Sequence, residues 1–265
     1  MNKTILLIPH YNNPFRLMKS LSSINSTENI DVLVVDDGSK NKQFDEGMVN
    51  NSFTANGSVF YIYLKVNQGI EFALNFGLDF IKEKDQYQFI ARLDCGDICL
   101  GNRFQVQETF LTNNPKVKLI GSNSIAVDPF DKFLYKTVYP QKHEEIKKKM
   151  FVNSMFLHPT VMFSIDVLPV IGKYPINYKS AEDYAFFFKF VQVYETENLQ
   201  DFLVQYEINP TGISFSKRKE QVLSRIRVIW DNYYFGFWPI YGLLRNYLVL
   251  IIPHSIIQNI KKILK

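Results

Sequence analysis

Cysteine is scarce in this chain: two among 265 residues, Cys95 and Cys99, with no second pair. That spacing supports no disulfide framework and supplies too few ligands for a zinc site. The two thiols are therefore expected to pack near a strand end in a reducing compartment. Long apolar runs are missing at the start, where Ile5 to Ile8 gives four apolar residues before Pro9. A secretory signal needs roughly 7–15 in a row, so none is visible and a cytoplasmic enzyme body is expected. Internal repeats and low-complexity segments are absent. Near the other end, Phe235 to Ile257 is apolar but interrupted by Pro239, Arg245, Pro253 and His254. It falls short of the clean stretch of about 20 apolar residues that a spanning helix requires.

With 46% hydrophobic residues, the chain can bury one large core. The formal charge of +4 is unevenly spread. From Lys217 to Lys265 nine Lys and Arg face only Glu220 and Asp231. This basic tail points to an anionic neighbour. No zinc spacing, RNA-binding signature or recognition-helix pattern accompanies it, which argues against nucleic acid. Trp230, Tyr233, Tyr234, Phe237, Trp238 and Tyr241 lie among these cations. Amphipathic rings beside Lys and Arg suit the headgroup level of an anionic membrane surface, with a helical hairpin packed on the protein itself or on a second copy as the competing reading.

Continuous apolar runs at Ile5–Ile8 and Val32–Val35 read as strands covered on both faces, and the spacing of Phe15, Leu17, Met18 and Leu21 predicts a helix over 16–23 between them. A strand at 59–64, a helix at 69–82 and a strand at 88–93 repeat the pattern. Alternation of this kind builds a parallel α/β sheet. A helix at 102–111 and a strand at 117–120 follow. The segment 128–177 is less regular, with a basic helix at 144–151, and is where an acceptor-binding surface is expected. The helix expected at 182–193 carries Phe186, Phe187, Phe188 and Phe190, which read as core.

Acids fall where these strands end: Asp36-Asp37-Gly38-Ser39 after the second, and Asp94 and Asp97 after the fourth. Open parallel sheets bind ligands at such edges, and carboxylates there can hold a divalent cation able to neutralise a diphosphate. Asp36-Asp37-Gly38-Ser39 alone could be a simple turn closed by an Asx bond. Arg92 and Asp94 share a strand face, which would let Arg92 counter phosphate charge. Gly69 opens a helix whose N-terminal amides favour anions. Glu182 and Asp183 start another helix, where they could cap its dipole or do acid–base work.

Taken in order, Ile8-Pro-His-Tyr-Asn12, Val34-Val-Asp-Asp-Gly-Ser39, Asn67-Gln-Gly69 with Ala73, Asn75 and Gly77, Ala91-Arg-Leu-Asp94, His158-Pro-Thr160 and Ala181-Glu-Asp-Tyr184 resemble the signatures of family-2 glycosyltransferases. The similarity covers most of residues 3 to 215. It implies a GT-A fold, Rossmann-like, with a mostly parallel mixed sheet flanked by helices. A catalytic domain at 1–215 would then precede a basic, aromatic, C-terminal helical tail at 216–265.

The resemblance further implies an inverting enzyme that moves a hexose or N-acetylhexosamine from a UDP-sugar to a hydroxyl of a surface glycan or glycolipid precursor, such as lipopolysaccharide or capsule, from the inner face of the cell membrane. Asp183 would be the base. Pro9, Tyr11, Asp36, Asp37, Gly69, Arg92, Asp94, His158 and Glu182 would bind substrate, and Asp94 and Asp97 a divalent cation, Mn²⁺ or Mg²⁺. The chain departs from the family at the metal motif, where Gly96 replaces the middle acid of Asp-x-Asp, and at Glu207 and Asn209, which replace an Arg and a His. No Gln-x-x-Arg-Trp motif of processive synthases is present. A sugar nucleotidyltransferase and a non-catalytic sugar-nucleotide-binding module are the alternatives. The first would carry a Gly-rich, basic loop after the first strand, and Pro9-His-Tyr-Asn-Asn13 is not one.

Overall fold

A computed structural model describes residues 2–40, 43–208 and 217–251. Nine strands form one mixed sheet: β1 (Thr4–His10), β2 (Asp31–Asp36), β3 (Val59–Tyr63), β4 (Phe89–Arg92), β5 (Ile98–Cys99), β6 (Val117–Val127), β7 (Phe133–Thr137), β8 (Met162–Ser164) and β9 (Glu195–Glu207). Their order is β3-β2-β1-β4-β8-β6-β9-β5, with β7 paired to β6. The four strands at the β3 edge are parallel to one another. β8 is inserted antiparallel to β4 and β6, while β9 runs parallel to β6.

The helices are α1 (Pro14–Ser22), α2 (Glu46–Ser52), α3 (Ile70–Glu83), α4 (Arg103–Asn113), α5 (His143–Lys149), the short α6 (Leu168–Ile171), α7 (Glu182–Val193), α8 (Arg218–Asp231) and α9 (Phe237–Ile251). They cover both sheet faces, and period two along each strand divides the core accordingly. Ile5, Leu7, Leu33, Val35 and Ile90 face the α3, α7 and α8 side. Leu6, Ile8, Val32, Val34 and Ala91 face α1 and α4. The apolar runs are thus continuous because both faces are buried.

α3 seats closely on β1: a Cβ on Gly77 would lie 2.4 Å from Leu7 Cδ1. Asn75 on the same helix accepts from the Tyr174 backbone N–H and donates to its C=O, both at 2.9 Å, tying α3 to the segment that leads into α7. The Phe run of α7 is core, with Phe186, Phe187, Phe188 and Phe190 all buried.

Two features differ from the sequence expectation. β6 extends to Val127, well past 120, and β9 is a 13-residue strand of which only the end had an apolar signature. The proposed boundary at 215/216 coincides with no break in packing, because Val222, Ile226, Val228, Ile229 and Leu243 lie in the same core as α3 and α7.

Candidate active site

The switch in strand order falls beside β1, which has β2 on one side and β4 on the other, and such points open a crevice at the carboxyl ends of strands. A cavity of about 900 Å³ lies there. One wall is the loop before α3 with Gln68 and Gly69, another is the turn Asp94-Cys95-Gly96-Asp97 after β4, a third is the start of α7 with Glu182 and Asp183, and α8 closes it with Gln221 and Arg225. Residues far apart in sequence therefore face one space large enough for a sugar nucleotide.

The first strand ends build this space without lining it. Asp36 accepts from the Ser39 N–H at 2.7 Å and pairs with His10 Nδ1 at 2.7 Å. His10 Nε2 accepts from the Asn13 amide, so Nδ1 carries the proton given to Asp36. Burial raises the Asp36 pKa, but these bonds outweigh it and the carboxyl ends below its ordinary value. The ribose role expected for Asp36 is therefore corrected: it is 3% exposed and holds the turn together. Asp37 accepts from the Gln68 and Gly69 amides, both at 2.9 Å, and so fixes the loop that forms the cavity wall. Gly69 has φ +112, a region that favours glycine. Pro9 and Tyr11 flank the cavity from the end of β1, and Tyr11 presents half of its ring surface to solvent.

Arg92 also needs correction. It is fully buried beneath the site, donating to the Leu7 and Leu93 carbonyls, to His158 Nε2 at 3.2 Å and to Asp94 Oδ1 at 2.6 Å. It meets no phosphate directly; it orients Asp94 from below. His158 borders the cavity, yet its Nε2 contacts Arg92 and the Tyr174 hydroxyl. Burial first and Arg92 second hold its pKa well below the ordinary value, so at neutral pH it is an uncharged spacer.

The carboxylates that do face the cavity are Asp94, Glu182 and Asp183, with Glu71 at the edge. Asp183 accepts from the Tyr184 N–H at 2.7 Å. Burial raises its pKa, with the Tyr184 amide and Arg225 opposing and Asp94 adding to the rise. Glu182 is pushed up to about 8, by burial first and then by Asp183. Its Oε2 is buried with no hydrogen-bond partner among the described residues. Two carboxyls in adjacent positions with raised pKa values are suited to proton transfer near neutral pH. Ser180, at φ +59, precedes them in a strained turn pinned by α8: its Oγ donates to Glu220 at 3.0 Å and its C=O accepts from Gln221 at 2.9 Å.

Metal ligation by Asp97 is the third correction. Asp97 is 6% exposed, its Oδ1 accepts from the Glu207 N–H at 3.0 Å, and burial first, then Asp94, raise its pKa well above the ordinary value. Among the described residues no three His, Cys, Asp or Glu side chains converge as a metal set. With Gly96 in the middle position, the donor set does not fit a cation clamped by two side-chain carboxylates. Cys95 and Cys99 are both free.

Several site residues gave no signal of their own in sequence. Tyr135, Tyr139 and Tyr206 line the side facing β7 and β9, with the Tyr135 and Tyr206 hydroxyls 3.1 Å apart. Arg16 and Arg225 had looked like solvated helix positions. The loop segment Gly212 to Ser214 and Asn209, singled out in the sequence, lie outside the described residues.

A mixed sheet with ligand-facing acids at its parallel edge defines a GT-A glycosyltransferase fold. The solved structures agree in fold: the chain superposes on S. aureus TarS 1-349 in complex with UDP-GlcNAc with a TM-score of 0.67 at 15% identity, covering 93% of this chain and 73% of that one. It also superposes on the mannosyltransferase PcManGT of Pyrobaculum calidifontis in complex with GDP-Man and Mn²⁺, with a TM-score of 0.62 at 14% identity, covering 94% and 69%. The Glycosyl transferase family 2 model matches residues 5–168, more than half of the chain, and the protein belongs to that family.

Relatives include an uncharacterised glycosyltransferase of Methanocaldococcus jannaschii, 27% identical over 84% of this chain and 77% of that protein. The amylovoran biosynthesis glycosyltransferase AmsE of Erwinia amylovora is 30% identical over 54% of this chain and 52% of its own length. The O-antigen biosynthesis glycosyltransferase WbnJ of Escherichia coli is 28% identical over 51% and 54%. The chain thus spans about half the length of these last two relatives.

Proposed function

We propose that the protein is an inverting transferase that moves a hexose or N-acetylhexosamine from a UDP-sugar to a hydroxyl of a surface-glycan precursor. The observation that carries this reading is the shared cavity: Asp183 faces the space bounded by the Gly69 loop and Asp94. In the reaction, Asp183 accepts the proton of the acceptor hydroxyl as that oxygen attacks the anomeric carbon, and the carbon–oxygen bond to the diphosphate breaks on the opposite face. Tyr11 offers a platform for the base, while Tyr135, Tyr139 and Tyr206 offer ring faces to an acceptor sugar. The UDP-GlcNAc complex of TarS and the glycan-building relatives support donor and acceptor class.

The same reading places the enzyme at the inner membrane surface. Among the described residues no helix is long and apolar enough to cross a membrane. α9 nevertheless exposes Phe237, Tyr241, Leu244, Leu248 and Ile251, a stripe at helical spacing, while Gly242, Leu243 and Asn246 on its other side are buried. Incubating the purified chain with a panel of UDP- and GDP-sugars tests the chemistry. Release of nucleoside diphosphate that depends on Asp183 supports transfer, and absence of turnover with every donor and glycolipid acceptor tried would remove it.

A further inference from the structure

We propose that Arg16 binds the donor diphosphate in the place where a second acidic side chain would otherwise hold a divalent cation, so that this enzyme engages its nucleotide without a metal. The inference rests on the nucleotide-sugar reading above.

The turn after β4 is where the diphosphate must be met, because it carries Asp94 and faces the Gly69 loop across the cavity. At its centre Gly96 has φ +104, a conformation that an acidic L-residue rarely adopts. The space such a side chain would enter is also filled. A Cβ at 96 would lie 3.2 Å from Arg16 Cδ, 3.5 Å from its Cγ and 3.7 Å from its Cβ. The stem of Arg16 thus runs over the glycine from α1, and its guanidinium stands on the cavity wall beside Asp94 and Asp97.

That guanidinium is held in position. Glu207, at the end of β9 with a side chain 6% exposed, accepts from Arg16 Nη2. The backbone of Glu207 is itself fixed by Asp97. Arg16 is 29% exposed in its side chain and has five N–H donors, in a planar fork that matches phosphate oxygens. Asp94 already has its charge met by the buried Arg92. Asp97 is directed to backbone, not to the cavity. One preorganised cation therefore stands where the developing charge of the leaving diphosphate needs it. It also accounts for Glu207: an acid at the end of β9 orients an arginine delivered from α1.

The test is calorimetric titration of the full chain with UDP, and with uridine as a probe lacking phosphate, in EDTA and in excess Mn²⁺ or Mg²⁺. The expected UDP Kd agrees within about threefold between the buffers, and Arg16→Gln weakens UDP by about tenfold or more in both while leaving uridine unchanged. Arg16→Lys should recover part of the loss. A wild-type UDP affinity that collapses in EDTA overturns the proposal, and this arm decides even if Arg16→Gln fails to fold. A folded Arg16→Gln with unaltered UDP affinity overturns it as well. If the wild type binds neither UDP nor GDP in any buffer, the nucleotide-sugar reading itself has failed and the proposal falls with it.

Discussion

Glu182 has one carboxylate oxygen, Oε2, buried and without a hydrogen-bond partner among the described residues. Such a group costs stability when ionised. Its folded pKa, raised from 4.5 to about 8, gives the sign. The stabilising contribution is fully present below about pH 4.5 and is lost as pH rises toward 8. Glu182→Gln should therefore leave the thermal midpoint nearly unchanged at acid pH and raise it above wild type at alkaline pH, as read by melting curves across that range. Equal midpoints at both ends would show that the oxygen is solvated. Asp183 answers a kinetic question instead. Asp183→Asn should lower kcat by roughly 10²–10⁴-fold, with UDP affinity nearly intact, because a base acts in the transition state and not in donor binding. The acid limb of kcat should also lie above the ordinary carboxylate range, since burial raises the Asp183 pKa.

At the scale of elements, the parallel half of the sheet was legible because doubly covered strands leave an unbroken apolar run, as in Ile5–Ile8 and Val32–Val35. The spacing Asn67, Gly69, Ala73, Asn75, Gly77 was legible for the same kind of reason, each position having a steric or hydrogen-bonding task. Gly77→Ala tests one of them. Its Cβ would meet Leu7 Cδ1 at 2.4 Å, so α3 or β1 must shift. A loss of about 1–3 kcal/mol in denaturant unfolding is expected, with donor affinity reduced because the Gly69 loop rides on the same helix. β6 and β9 were hidden by their composition. β6 carries the buried Ser122-Asn123-Ser124 in its middle, and β9 begins Glu195-Thr-Glu-Asn-Leu-Gln-Asp, sequences with no apolar period. Arg16 and Arg225 were hidden for another reason: an arginine within an amphipathic helix looks solvated until the fold brings acids from elsewhere against it.

Over the whole molecule, the segment read as a tail does two jobs, and they call for different experiments. α8 closes the cavity and pins Ser180, while α9 buries Leu243 and Asn246 and donates from Arg245 to the Val152 carbonyl at 2.9 Å. Deleting 235–265 would therefore strip part of the core, and loss of membrane binding in such a truncation would say little. Substituting only the outward stripe separates the effects. Phe237, Leu244 and Leu248 are 69%, 60% and 57% exposed, so Ser at all three should leave the melting temperature close to wild type. Burying each apolar side chain in the headgroup boundary contributes on the order of 1 kcal/mol or more, so the triple variant should lose at least about tenfold in partitioning to vesicles rich in phosphatidylglycerol. Sedimentation with those vesicles, against phosphatidylcholine alone and at two salt concentrations, measures it. Attraction between the basic face and anionic lipid should weaken with salt, whereas the aromatic contribution should not. A triple variant that sediments as wild type would move the interface elsewhere and leave α9's outer face without a membrane role.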